Sequence, residues 1–201
     1  MTLPGGPTPF DLTRHLGEGW CVTVTPLAPA LTLDMMGARE VTDVPDAVDR
    51  ASRRIPERLP HVLLLAKPAT GYGSLVLEVE GTMGWIGRDP EILGELSEAG
   101  AACTISRNPN RVDVLIAEDG EVVAGLDAVT LRRWGTVDGQ WAAALTAAGF
   151  PDDDEEPGEE ICRWTPSQCA ALALAAVTGI TLDAGMLAGP WLGGLCTGPA
   201  G

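Results

Sequence analysis

Two histidines and five cysteines are the residues of this 201-residue chain whose types could run nucleophilic or metal chemistry. Cys21 is the most tempting nucleophile, with His61 as its base, since neighbouring strands can join residues far apart in sequence. Such a pair needs a third group to orient the imidazole, and no spacing here supplies one. A cysteine on a strand is more simply a small packing residue. Cys21, Cys103, Cys162, Cys169 and Cys196 are odd in number, widely spaced and free of C-x-x-C, which argues against a disulfide framework or a zinc knuckle and for reduced thiols. The 28 acids offer many carboxylate pairs, none in the context of a glycosidase. No catalytic residue, metal ligand or cofactor-binding residue is assigned, and no cofactor is expected.

Two further segments invite a chemical reading. Gly81-Thr82-Met83-Gly84-Trp85-Ile86-Gly87 lies between a strand and a helix start, where phosphate-cradling loops occur. A nucleotide loop wants free amides and a lysine, whereas the following cap is Asp89 with Glu91 in the first turn, both repelling phosphate; only Arg88 favours it. The simpler reading is a turn that folds Trp85 back onto the core. The second segment runs from Asp152 to Glu160 and concentrates seven acids in nine residues. It lacks the ligand alternation of a calcium loop, although loose divalent binding is physically reasonable. It reads either as a solvated, solubilising loop or as an electrostatic docking element. In the docking reading Asp152, Asp153, Asp154, Glu155 and Glu156 bind the partner.

Charge narrows the classes of partner. The net charge is −15, and without the seven acids of that window it would still be −8. Such a field repels nucleic-acid backbones and anionic membrane surfaces and favours a basic protein. Arg50, Arg53, Arg54 and Arg58 could form an anion site on this acidic background, or a solvated helix face with local ion pairs. The first nine residues, rich in proline and glycine, do not read as a signal peptide, and no apolar run is long enough to span a bilayer. A cytoplasmic location is expected.

The elements that must position these residues are legible in part. A short helix over Phe10 to Leu16 precedes a half-buried strand, Trp20 to Thr25, with Trp20, Val22 and Val24 on one face and Cys21, Thr23 and Thr25 on the other. Ala30 to Met36 forms a helix stopped by Gly37. Asp46 to Arg54 reads as a helix ended by Ile55-Pro56. Val62 to Ala66 suits a central strand. After a turn at Gly71-Tyr72-Gly73, Leu75, Leu77 and Val79 alternate with Val76, Glu78 and Glu80, which predicts a strand with one wet side.

Asp89-Pro90 starts a helix running to about Ala99. Strands follow over Ala101 to Arg107, Val112 to Glu118 and Glu121 to Leu126, the last two joined by the hairpin turn Asp119-Gly120. A two-residue register pairs Ile116 with Val123 and Glu118 with Glu121, so the like-charged tip projects into water. Ala142 to Ala148 is helical. Thr165-Pro166-Ser167-Gln168 is a capping box opening an uncharged helix to Thr178 that is expected to be buried. The apolar tail Met186 to Cys196 leaves Trp191 and Leu192 as candidates for exposure and self-assembly.

The set Trp20-Cys21-Val22-Thr23, Asn108-Pro109-Asn110, Glu118-Asp119-Gly120-Glu121, Arg133-Trp134-Gly135 and the late Leu172 to Leu187 helical pair resembles an actinobacterial family of uncharacterised proteins, a domain of unknown function. The resemblance extends over Trp20 to Pro190 and implies one shared fold, with no activity or catalytic residue to carry over. The expected architecture is α+β: an antiparallel or mixed sheet of about five to seven strands with helices packed on one face. Residues 1–9 form a flexible tail and 10–201 a single domain, with an acidic loop at 151–160 and a C-terminal helical pair at 166–188. The expected function is a non-catalytic cytoplasmic protein-interaction module with an acidic surface, immunity-like or regulatory. The alternative is an enzyme or small-ligand binder with a pocket that sequence does not reveal.

Overall fold

The computed structural model describes residues 8–45, 61–79, 85–135, 140–151 and 161–197. Nine strands form one antiparallel sheet: β1 Trp20–Thr25, β2 Arg39–Val44, β3 His61–Ala69, β4 Gly73–Val79, β5 Ala102–Asn108, β6 Arg111–Glu118, β7 Glu121–Asp127, β8 Arg132–Gly135 and β9 Trp191–Thr197, in the spatial order β2-β9-β3-β4-β1-β5-β6-β7-β8. Among the described residues the helices are α1 Leu12–Leu16, α2 Pro29–Met35, α3 Pro90–Glu95, α4 Gln140–Ala147, α5 Pro166–Thr178 and α6 Ala184–Leu187. The α+β class with an antiparallel sheet agrees with expectation; the strand number exceeds it by two or more.

Two of the additional strands are β2, in a stretch for which the sequence predicts no element, and β9, which reads as an apolar tail. Glycine hides β9 from a propensity reading, because Gly193 and Gly194 weaken any strand signal. Both are needed for fit. A Cβ on Gly193 would come within 2.5 Å of Val44 Cγ2, and one on Gly194 within 2.9 Å of Ala38 Cβ. Trp191, expected to be exposed, is 1% exposed and donates its indole N–H to the Leu187 carbonyl at 3.3 Å.

Helices cover both faces of the sheet rather than one. On one face Trp20, Val22, Val24, Leu77, Ile105 and Val114 pack with Leu174 and Val177 of α5 and Leu145 of α4. On the other, Leu64, Val76, Ala102 and Ala117 pack with Leu33 and Met36 at α2 and Leu93 and Leu96 at α3. β1 therefore lies at the middle of a two-sided core, and all six of its residues are buried. Its alternation of apolar with small polar residues marks two different interiors, not an inside and an outside.

Local signals behave as their chemistry dictates. Asp89 caps α3, accepting from the Glu91 N–H at 2.9 Å, and α3 itself ends at Glu95, short of Ala99. The Thr165 capping box is complete, and α5 ends at Gly179 in the left-handed region. Asp119 and Gly120 both take positive φ, 52° and 86°, as a tight hairpin turn requires. Glu118 does face Glu121, but a bulge after Ile116 moves its partner from Val123 to Ala124. The Asp46–Arg54 helix and the arginines at 50, 53, 54 and 58 lie outside the described residues.

Candidate functional site

The least expected part of the molecule is the polar stripe on the face covered by α2 and α3. Strand register aligns Glu78 of β4 with Cys21 of β1, Cys21 with Ser106 of β5, and Ser106 with Asp113 of β6. The row continues through Asp127 of β7 to Arg132 of β8. One step along, Thr23 and Thr104 share a hydroxyl hydrogen bond of 2.7 Å. Alternate positions of adjacent strands thus put polar groups in one line, and a chain segment closes over its centre.

That segment is the 3-10 turn Ile86–Arg88. Glu78, predicted on a wet side, is fully buried, and its two carboxylate oxygens accept the backbone N–H groups of Ile86 and Gly87, both at 2.7 Å. Gly87 presses its Cα onto the stripe: a Cβ there would lie 2.3 Å from Thr23 Oγ1 and 2.9 Å from Glu78 Oε1. Among the described residues no cation pairs with Glu78. Loss of water raises its pKa to about 7, while the amides of Gly87 and Ile86 and the Cys21 thiol oppose that rise.

The same geometry decides the earlier chemical candidates. The Ile86 and Gly87 amides, which a phosphate loop would need, are occupied by Glu78. The rest of that loop, residues 81–84, lies outside the described residues. Cys21 is fully buried, and burial, followed by the adjacent Glu78 charge, pushes its thiol well above the usual range. Nucleophilic thiols need the opposite environment. His61 is on β3, separated from β1 by β4, and three positions from Leu64, the residue aligned with Glu78 and Cys21. Register does not bring the two together. Burial also raises the Cys103 thiol. Cys21, Cys103, Cys169 and Cys196 form no disulfide with one another, and the described residues contain no metal-binding cluster.

Beyond the turn the stripe reaches the surface. Arg88 Nη2 lies 2.9 Å from Asp113 Oδ2, and Arg111 Nε 3.0 Å from Asp113 Oδ1. The Arg88 contact is an ion pair without hydrogen-bond alignment, since Oδ2 has no hydrogen-bonding partner despite the short distance. Trp85 packs its ring over Gly19 and donates its indole N–H to Asn108 Oδ1 at 3.0 Å. Trp85, Arg88, Asp89 and Asn108 line an open depression of about 330 Å³.

A second surface is defined by charge. Glu91 and Glu95 of α3, Glu98 just after it, and Asp119 and Glu121 at the hairpin tip are all exposed. Gly94 fixes this arrangement, because a Cβ there would lie 2.3 Å from the Gly120 carbonyl oxygen. Ser97 Oγ donates to the Gly94 carbonyl at 2.7 Å and accepts the Gly120 N–H at 3.1 Å. None of these five acids is in an ion pair with a described residue. The sequence-predicted docking residues Asp152, Asp153, Asp154, Glu155 and Glu156 lie outside the described residues.

Among the described residues no helix is long and apolar enough to cross a membrane. Compared with known proteins, the chain matches no curated protein and no solved structure. Residues 10–190 match one family model, described as a family of unknown function (DUF6461), and the chain belongs to that family.

Proposed function

We propose, for this member of a family without an assigned activity, a non-catalytic role: a cytoplasmic interaction module whose acidic surface receives a basic protein, in an immunity-like or regulatory setting. The observation that carries this reading is the carboxylate surface of α3 and the β6–β7 hairpin, held in register by the Gly94–Gly120 contact and left without cationic partners among the described residues. Preorganised charges of one sign accelerate encounter with the opposite sign and select against like-charged partners. The segment Asp152–Glu156 would extend the same field. Burial of Cys21 and Cys103 adds weight, since it removes both as ready nucleophiles.

The test is co-purification from the native host at low and moderate salt, followed by titration of the captured protein against two variants. In one, Asp152, Asp153, Asp154, Glu155 and Glu156 become serine; in the other, Glu91, Glu95 and Glu98 become glutamine. A basic partner whose binding weakens in at least one variant, with a flatter salt dependence, supports the proposal. Binding indifferent to both variants and to salt removes it. A second reading, small-ligand binding, is favoured by the depression at Trp85, Arg88, Asp89 and Asn108, whose size is at the lower end of ligand pockets. Thermal stabilisation by a metabolite that is lost in Trp85→Ala would support it.

A further inference from the structure

We propose that Glu78 makes the Ile86–Arg88 turn a proton-controlled latch: loss of its proton loosens the turn and, with it, the Trp85 and Arg88 wall of the surface depression. The turn is a minimal element, three residues long, closed by the Arg88 N–H to Trp85 carbonyl and Asp89 N–H to Ile86 carbonyl bonds at 3.2 and 2.9 Å. Such a piece has little stability of its own. Four polar contacts hold it from outside: Ile86 and Gly87 to Glu78, Arg88 to Asp113, and Trp85 to Asn108; Ile86 adds apolar packing against the core. The first two converge on one carboxyl group, that of Glu78, which is fully buried.

The surroundings of Glu78 decide the direction. β1 presents the Cys21 thiol beside it, β3 presents Leu64, and α2 adds Leu33 and Met36 to that face. On β9 the Cys196 thiol is raised mainly by burial and secondarily by the Glu78 charge. The turn supplies Arg88, whose guanidinium is committed to Asp113 on β6. Two amides without a cation do not replace the water that a carboxylate loses. The neutral acid suits the closed turn; the carboxylate gains more from water, which it reaches when the turn lifts. On deprotonation the proton leaves to solvent and no other group changes.

With Glu78 at about 7 when closed and 4.5 when solvated, the opening constant should rise roughly seventyfold between pH 5 and pH 8. Amide hydrogen exchange of the full chain, resolved residue by residue, measures it. The expected result is that the Ile86 and Gly87 amides lose protection by about that factor, after correction for intrinsic exchange, while Ile105 in the middle of β5 does not. In Glu78→Gln the slope should vanish. Pulsed maleimide labelling of Cys21, located by peptide mapping, gives a second readout in the wild type should the variant not fold: labelling should rise faster than thiol ionisation alone. Flat protection at Ile86 and Gly87, an equal loss at Ile105, or an unchanged slope in Glu78→Gln would overturn the latch.

Discussion

A single carboxylate sets much of the character of this molecule. Because the folded state holds the Glu78 proton up to about pH 7 and the unfolded chain releases it near 4.5, the stabilisation linked to this group is full below pH 4.5 and is lost as pH rises through 7. The loss is about 3 kcal/mol. Denaturant titrations of wild type and Glu78→Gln across that range should differ in slope, with the variant lacking this component. Its baseline will be lower, since the amide NH2 turns hydrogens and no lone pair toward the second backbone N–H, where the hydroxyl oxygen of the acid retains an acceptor lone pair. Gly87→Ala should cost roughly 1–3 kcal/mol by overpacking against Thr23 and Glu78, read as a shift in denaturation midpoint. The sequence displayed the alternation of Glu78 with Leu77 and Val79 but not what covers it. Polar residues at every second position ordinarily mean solvent, and it is α2, α3 and the turn a few residues further along the chain that make this face an interior.

Elements with capping or turn chemistry of their own were legible, α5 from its capping box, α3 from Asp89-Pro90 and the β6–β7 hairpin from Asp119-Gly120, and so were β1 and β5 from their strand-like residue patterns. Thr165→Ala should therefore lose about 1 kcal/mol, measurable as a lower unfolding midpoint. Elements defined by partners were not legible. β9 carries Gly193 and Gly194 because β2 and β3 crowd it, and β2 follows a bulged register that no local pattern announces. Gly94 gives the clearest test of tertiary control over propensity. In an isolated helix alanine would be better than glycine by up to about 1 kcal/mol, whereas here the added methyl strikes the Gly120 carbonyl. Gly94→Ala should destabilise, and it should increase hydrogen exchange at the Gly120 amide, which Ser97 now holds.

At the scale of the whole molecule, acidity was legible from composition, and the location of the α3 and hairpin acids beside one another was not, because it depends on the close approach of Gly94 to Gly120 and on the Ser97 hydroxyl that bridges them. If that surface docks a basic protein, affinity should fall with salt more steeply for wild type than for the Glu91, Glu95 and Glu98 variant. Lys67 ties the last strand in place: its ammonium donates to the Met186 and Ala188 carbonyls at 2.8 and 2.7 Å and lies 5.0 Å from the Trp191 ring centre. Lys67→Met should release that clasp and raise exchange across β9. The position of β9 also dictates an order of assembly. β2 pairs with residues synthesised roughly 150 positions later, as Thr42 opposite Gly193 shows. During translation the run β3-β4-β1-β5-β6-β7-β8 can close on itself, while β2 stays unpaired and β3 offers a bare edge until β9 emerges. A ribosome stalled before Trp191 would thus display an incomplete sheet with an adhesive margin.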